Sequence, residues 1–301
     1  MVRLGQEGPD VLARREQLAG GFDTRHVADA SARQALCAKV RRTLFTVAIA
    51  LAAVGGAQGA RQALPPFPRI SPLCHRADFA SQGGTVRAGL CRPAGSARLP
   101  ALVVLHGCGG FGGIDEVLAR DLPAHGIATF YVDYFGLTPP PSKRGFCGAG
   151  DRIRSAFGIW QQIVVDATDA LRRTPGIDPT RVGALGWSMG AGLALATAQY
   201  GAGETPLRRS PFRVLVVLSA FDESSNARAL PPTLVLSGGR GDAVPESEAT
   251  GLYRTLRGAG VPAVLHVYPG RNHSWKHRQG AAAERWTLAF LRRYLSPGAP
   301  R

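Results

Sequence analysis

Lysine is scarce in this chain, although the chain is strongly basic. Of 36 basic residues among 301, only Lys39, Lys143 and Lys276 are lysines, and the formal net charge is +15. The arginines that make up the rest are scattered rather than massed in one stretch, and no nucleic-acid-binding motif accompanies them. We therefore expect no nucleic-acid partner. A basic surface instead favours anionic substrates or envelope polymers, because it steers their approach.

A long apolar run is also missing from the N-terminal region. Residues 44–54 are apolar but too few to span a bilayer comfortably. They follow the basic segment 40–43 and precede the small residues 55–60, which is the order of an export signal. We therefore predict a signal peptide at 40–59 and, after its cleavage, a periplasmic or secreted protein without stable membrane association. A buried core helix and an uncleaved anchor are the alternatives.

The remaining sequence divides at the predicted leader. Residues 1–39 are interpreted as an extension outside the fold, or as an overrun upstream of a true start at Val40, because an export signal normally begins a chain. From 60 to 301 we predict a single domain, since apolar runs and helical patterns alternate as in a layered α/β structure. The expected strands lie near 101–105, 127–133, 181–186, 213–219, 232–237 and 261–268. The expected helices lie near 114–125, 152–174, 189–200, 246–259 and 280–295.

An antiparallel hairpin is predicted before the first of these strands. Its turn is 81–84, and pairing Ala80 with Thr85 across that turn places Cys74 opposite Cys91, close enough for a disulfide. Cys108 and Cys147 then form the second pair, although four cysteines allow three pairings. An even set of cysteines in an exported protein favours disulfides. No pair has the spacing of a zinc site, so no metal is predicted.

The segment Gly186-Trp187-Ser188-Met189-Gly190 has the context of a nucleophile elbow. An apolar strand precedes it and an Ala- and Leu-rich helix follows at once. The two glycines permit a turn tight enough to project the Ser188 hydroxyl, and the helix N-terminus behind it supplies unpaired N–H groups. Ser188 is therefore the predicted nucleophile. An ordinary helix N-cap and a catalytic thiol at Cys108 are the alternatives.

Two further residues follow strands in the order of an α/β-hydrolase triad, which is Ser, acid, His. Asp242 comes after the strand at 232–237, and His273 comes after the strand at 261–268. We predict that His273 takes the Ser188 proton while Asp242 orients the imidazole. Asp222 competes for the role of the acid, and His277 competes for the role of the base.

A glycine-rich turn after the strand at 101–105 predicts the oxyanion hole. The turn reads His106-Gly107-Cys108-Gly109-Gly110, the His-Gly type that follows the third strand of this fold. The backbone N–H groups of Cys108 and Met189 are expected to bind the developing oxyanion.

These motifs together resemble the dienelactone hydrolase family over about the last two-thirds of the chain. The segments that carry the resemblance are 105–110, 132–136, 186–190, 241–242 and 270–275. It implies an α/β-hydrolase fold, with a mostly parallel doubly wound sheet, helices on both faces, no large cap and no cofactor. The founding members have a Cys nucleophile where this chain has Ser188, an acidic residue where it has Gly107, and an Arg where it has His277.

The resulting interpretation is an exported serine hydrolase that cleaves a carboxylic ester or lactone through an acyl-enzyme. A peptidase of related fold and a non-catalytic binding protein with a hydrolase fold are the alternatives. A small-molecule ester or lactone is the expected partner. The residues predicted to contact substrate are Tyr134, Arg152, Arg154, Trp187, Trp275, His277 and Arg278.

Overall fold

The strands of the described residues form one large, mainly parallel sheet and one small hairpin. The computed structural model describes residues 71–95, 98–239, 242–268, 273, 275 and 278–299. The predicted leader, the extension before it and His277 lie outside these ranges. The strands are β1 (Cys74–Arg76), β2 (Phe79–Ser81), β3 (Gly84–Val86), β4 (Ala88–Cys91), β5 (Leu99–Leu105), β6 (Ala128–Val132), β7 (Ile177–Trp187), β8 (Leu215–Leu218), β9 (Thr233–Ser237) and β10 (Ala263–Val267).

Five α-helices connect or follow these strands in the described part of the chain. They are α1 (Ile114–Asp121), α2 (Gly150–Arg173), α3 (Met189–Tyr200), α4 (Glu246–Gly258) and α5 (Arg278–Leu295). The helix predicted at 114–125 is shorter than expected. Its last four residues form a 3-10 turn, Leu122–His125, with Pro123 in its first positions. Proline has no N–H to continue the α-helical ladder, so the helix ends before it.

The order of strands in the large sheet is β1-β4-β6-β5-β7-β8-β9-β10. The six strands β6, β5, β7, β8, β9 and β10 pair in parallel, in that order. At one edge, β4 pairs with β6 in antiparallel fashion, and β1 pairs with β4 in the same way. The parallel strands β5, β6, β8 and β9 are almost entirely buried, as expected when helices cover both faces. The predicted α/β-hydrolase fold is confirmed. None of the helices within the described ranges has both the length and the apolar character needed to cross a membrane.

Two hydrophobic cores flank the large sheet, one on each face. Alternate residues of β5 contribute to different cores, with Val103 in one and Val104 in the other. The first core includes Trp160 of α2, and the second includes Leu118 of α1 and Leu291 of α5. This arrangement leaves the carboxyl ends of the parallel strands as the edge from which loops can build a site.

The N-terminal hairpin has the predicted register but is divided between two sheets. Ala80 pairs with Thr85 in the small β2–β3 sheet, while Cys74 pairs with Cys91 at the edge of the large sheet. The turn between β2 and β3 has both central residues in the left-handed region, Gln82 at φ 47° and Gly83 at φ 76°. That is the backbone of a two-residue turn whose twist matches paired strands.

Candidate active site

The predicted nucleophile elbow lies between β7 and α3. Ser188 has φ 54° and ψ −119°, a conformation that L-residues rarely adopt. A Cβ added at Gly190 would lie 2.3 Å from the Leu105 carbonyl oxygen, and one at Gly186 would lie 2.3 Å from the Gly190 carbonyl oxygen. Both glycines are therefore required by close backbone approach, because any side chain there would force the strand and the helix apart.

The hydroxyl of Ser188 lies at the end of a chain of hydrogen bonds. It is 3.0 Å from His273 Nε2, and His273 Nδ1 is 2.5 Å from Asp242 Oδ1. The His273 side chain is partly exposed, whereas the Asp242 side chain is fully buried. Trp187 also holds the histidine, because its indole N–H donates to the His273 carbonyl oxygen at 2.9 Å. Trp187, the residue next to Ser188, thus fixes the backbone of the residue that faces the Ser188 hydroxyl.

Asp242 is surrounded by hydrogen-bond donors. Its Oδ2 accepts from the Ser219 hydroxyl at 2.5 Å and from the Gly238 N–H at 3.0 Å, and its Oδ1 accepts from the Val244 N–H at 3.2 Å as well as from His273. Burial alone raises the pKa of Asp242, but the bonds from His273, Ser219 and Val244 outweigh burial and hold the pKa below its ordinary value. Asp242 is therefore ionised at neutral pH.

The competing candidates are placed differently. Asp222 is exposed, and its carboxylate accepts hydrogen bonds from the backbone N–H and the hydroxyl of Ser224. Cys108 is bonded to Cys147, so it has no free thiol. Within the described residues, it is Asp242 and not Asp222 that contacts His273.

The predicted oxyanion turn packs beside the elbow. The buried Tyr134 hydroxyl donates to the His106 carbonyl oxygen at 2.7 Å, and the two rings stack with centroids 4.0 Å apart. The Phe146 N–H donates to the Cys108 carbonyl oxygen at 2.8 Å. The N–H groups of Cys108 and Met189 donate to no acceptor within the described residues, which leaves both available to a ligand.

Both disulfides expected from the sequence are present, Cys74–Cys91 and Cys108–Cys147. The second joins the oxyanion turn to the loop that precedes α2. A Cβ added at Gly145 of that loop would lie 2.2 Å from the Cys108 carbonyl oxygen, so the loop and the turn are in direct backbone contact. The position of the Cys108 N–H therefore depends on a covalent link as well as on packing.

We expect the two disulfides to differ in their effect on catalysis. The Cys108→Ser/Cys147→Ser variant should lower kcat by about ten-fold or more, because a displaced oxyanion donor loses transition-state stabilisation. The matched Cys74→Ser/Cys91→Ser variant should keep kcat, since that bond is at the sheet edge. Either change should cost about 2–5 kcal/mol of folding stability. Steady-state rates and melting temperatures of both variants check this, and equal losses of kcat would contradict it.

Two aromatic residues predicted to contact substrate are in fact buried. Tyr134 is fully buried against His106 and Trp160. Trp275 is 2% exposed, and its indole N–H donates to the Ser219 hydroxyl oxygen at 3.1 Å. The prediction of a pocket-lining role was wrong for both, because each side chain is buried and its polar hydrogen is donated to an acceptor inside the protein. Trp187 is half-buried beside the site.

The basic residues predicted to contact substrate are on the surface. Arg152 and Arg154 are exposed near the N-terminus of α2, where Arg154 forms an ion pair with Asp151. Arg278 is exposed at the first position of α5. Within the described residues, the side chains of Ser188 and His273 form hydrogen bonds with each other and with Asp242 rather than with any of these three arginines. In the part of the chain that the structure describes, no group of three or more His, Cys, Asp or Glu side chains is placed to hold a metal ion.

Ser219 was missed by the sequence analysis, although it directly contacts Asp242. It is the last residue of the strand predicted at 213–219 and lies just beyond the end of β8. Its position at the carboxyl end of a predicted strand could have indicated it, since polar residues at the carboxyl ends of parallel strands are the ones that build a site. No motif includes it.

The sequence matches the dienelactone hydrolase family over residues 86–293. No curated protein matches it significantly.

Several solved structures resemble this chain. One is a dienelactone hydrolase-like promiscuous phosphotriesterase from metagenomic libraries, with 17% identity and a TM-score of 0.61. The alignment covers 74% of this chain and 98% of the other. The chain also resembles an esterase of Pyrobaculum calidifontis at 19% identity, with a TM-score of 0.57 and coverage of 74% and 86%. A thermostable esterase of Pseudomonas putida is similar at 20% identity, with a TM-score of 0.54 and coverage of 74% and 83%. The chain belongs to the dienelactone hydrolase family and is a carboxylic ester hydrolase.

Proposed function

We propose that this protein is an exported serine hydrolase that cleaves a small carboxylic ester or lactone through Ser188, His273 and Asp242. The observation that carries the proposal is the unbroken set of contacts from the Ser188 hydroxyl to His273 at 3.0 Å and from His273 to the buried Asp242 at 2.5 Å. That set has the nucleophile, the base and the orienting acid in mutual hydrogen-bond reach.

Acylation begins when the Ser188 oxygen attacks the substrate carbonyl carbon. The hydroxyl proton passes to His273 Nε2, and the carbonyl oxygen becomes an oxyanion. Asp242 accepts from Nδ1–H, which leaves Nε2 unprotonated before the attack and stabilises the imidazolium after it. The intermediate collapses when the bond to the alkoxy oxygen breaks, and His273 returns the proton to that oxygen. The products are an alcohol and a Ser188 ester.

Deacylation repeats these steps with water. His273 removes a proton from the water as its oxygen attacks the acyl carbon, and it then returns the proton to Ser188. For a lactone, the alcohol and the acid of the product belong to one molecule. The N–H groups of Cys108 and Met189 are the proposed donors to the oxyanion in both halves, because both lack an acceptor in the described part of the chain.

Two further observations support the details of the proposal. The solved structures that this chain resembles include two named esterases, which favours an ester over a peptide. The two disulfides favour an oxidising compartment, in agreement with the export signal predicted at 40–59. An intact set of acid, base and nucleophile argues against a binding protein without turnover.

A fluorophosphonate probe tests the proposal. The probe phosphonylates a serine only when a base activates it, so we expect stoichiometric labelling of the folded protein, mapped by mass spectrometry to Ser188. The His273→Ala variant should label at least about 100-fold more slowly, since general-base catalysis contributes that much. The matched control is His125→Ala, which removes a surface histidine beside Glu284 and should label normally. Labelling elsewhere, or none, would refute the assignment.

A further inference from the structure

Three residues of the site have strained backbones. Five non-glycine residues in the described chain have positive φ, and three of them are Ser188 at 54°, Ser219 at 50° and Trp275 at 51°. These three are linked through hydrogen bonds by way of Asp242 and His273. Strain of this kind persists where the surrounding structure over-determines it, and it concentrates at functional sites. The conformation of Ser188 follows from the tight turn between β7 and α3. The triad contacts alone do not explain the positive φ of Ser219 and Trp275.

We propose that Ser219 is a positioning residue that holds the Asp242 carboxylate toward His273, and that Trp275 fixes the direction of the Ser219 hydroxyl. This inference rests on the proposed function, because it assigns a role relative to the acid of the triad. It adds to the site Ser219, which no motif of the sequence includes, and it gives Trp275 a role other than the predicted contact with substrate.

The direction of the Ser219 hydroxyl follows from counting protons. A serine hydroxyl has one hydrogen to donate and lone pairs to accept. The Trp275 indole N–H can only donate, and it points at the Ser219 oxygen at 3.1 Å. The ionised Asp242 Oδ2 can only accept, at 2.5 Å. The single hydroxyl proton therefore lies between Ser219 and Asp242. Ser219 and Trp275 are each 2% exposed, which keeps bulk water from competing.

This arrangement fixes which carboxylate oxygen serves which partner. Ser219 and the Gly238 N–H hold Oδ2, which leaves Oδ1 to His273 and the Val244 N–H. The carboxylate cannot rotate about its bond without breaking bonds on both oxygens. The imidazole consequently meets an acceptor of constant position through both halves of the reaction. Pre-positioned groups of this kind avoid reorganisation during the chemical step.

The strain at Ser219 supports a role for its hydroxyl. At φ 50° glycine would be the less costly residue, because it has no Cβ to crowd the backbone. Serine at this position forgoes that gain and provides a donor to Asp242. Comparing two variants therefore separates the contributions of the hydroxyl and the backbone. Ser219→Ala removes the hydroxyl and keeps the strain, whereas Ser219→Gly removes the hydroxyl and relieves the strain.

The test uses p-nitrophenyl acetate hydrolysis by Ser219→Ala and Ser219→Gly. We expect kcat to fall by about 10- to 100-fold in both, the range for losing a hydrogen bond to a charged group, with KM nearly unchanged. Ser219→Gly should melt at or above the temperature of Ser219→Ala, so that its loss of rate is not a loss of fold. Trp275→Phe should lower kcat less, by about three- to ten-fold, because the hydroxyl remains.

The matched control for Trp275→Phe is Trp160→Phe. Trp160 is also fully buried, and its indole N–H also donates to a hydroxyl, that of Thr138 at 2.6 Å. It has no contact with Asp242, so we expect a similar fall in melting temperature and an unchanged kcat. Equal losses of kcat in the two tryptophan variants would overturn the role of Trp275.

A double-mutant cycle shows whether Ser219 acts through Asp242. In an Asp242→Asn background, Ser219→Ala should change kcat by less than about two-fold, because the group that it positions is already lost. A full additive loss there would overturn the positioning role. Wild-type kcat in both single Ser219 variants, with an inactive Ser188→Ala, would overturn this inference alone. An active Ser188→Ala would instead refute the proposed function.

Discussion

Replacing Ser188 by alanine is expected to lower kcat for ester hydrolysis by at least about 10³-fold. The variant has no atom to attack the carbonyl, and any residual rate must come from substrate binding and the oxyanion donors. Folding should be nearly unaffected, because alanine fits the same backbone and, among the described residues, the lost hydroxyl bonds to His273 alone. Hydrolysis of p-nitrophenyl esters and a melting curve check both parts.

The control for this change is Ser155→Ala, which removes an exposed serine hydroxyl from α2 and should keep full activity. The nucleophile assignment fails if Ser188→Ala retains activity while Cys108→Ser loses it. The disulfide between Cys108 and Cys147 makes that outcome unexpected, because a disulfide-bonded sulfur is not a nucleophilic thiolate.

Replacing Asp242 by asparagine is expected to lower kcat by about 10⁴-fold, as for a triad whose histidine adopts the wrong tautomer. The surroundings of Asp242 make this change unusually severe. Donors face both of its oxygens, Ser219 and Gly238 on one side and Val244 and His273 on the other. An amide NH₂ on either side meets a backbone N–H, that of Gly238 or of Val244, and these groups cannot switch to accepting as the Ser219 hydroxyl and the His273 ring can. No orientation of asparagine therefore satisfies the site.

The matched control is Asp222→Asn, at the competing aspartate of the neighbouring loop. Asp222 is exposed, and its carboxylate bonds to Ser224 rather than to His273, so we expect wild-type kcat and KM. Steady-state kinetics of both variants decide between the two carboxylates. A loss confined to Asp222→Asn would transfer the role of the acid to that residue.

The sequence was informative where chemistry depends on backbone order. The order of strands and motifs indicated which strand ends carry Ser188, Asp242 and His273, and the structure brings their side chains within 3.0 Å of each other along the chain of contacts. The register of the hairpin, and with it the Cys74–Cys91 pair, also followed from the position of its turn. In a hairpin, the position of the turn fixes the register, so one correctly placed turn determines which residues of the two strands lie opposite each other.

The sequence was uninformative where the result depends on which polar atom finds which acceptor. Tyr134 and Trp275 look equally suited to a pocket wall or to the interior, and only the fold shows that their donors reach the His106 carbonyl and the Ser219 hydroxyl. Ser219 belongs to no motif, and its contact with Asp242 spans 23 positions of sequence. Such contacts arise from the packing of neighbouring strand ends, which no local pattern records.

The antiparallel edge of the large sheet has a consequence for association between chains. An edge strand offers its unpaired N–H and C=O groups as a template for a strand of another molecule. Within the described residues that edge is β1, which has three residues and is covalently joined to β4 through Cys74 and Cys91. A strand so short presents few backbone groups to another chain. Its disulfide also keeps β1 paired with β4, so that β4 does not become an exposed edge strand. The edge therefore resists the strand-by-strand growth that leads to aggregates.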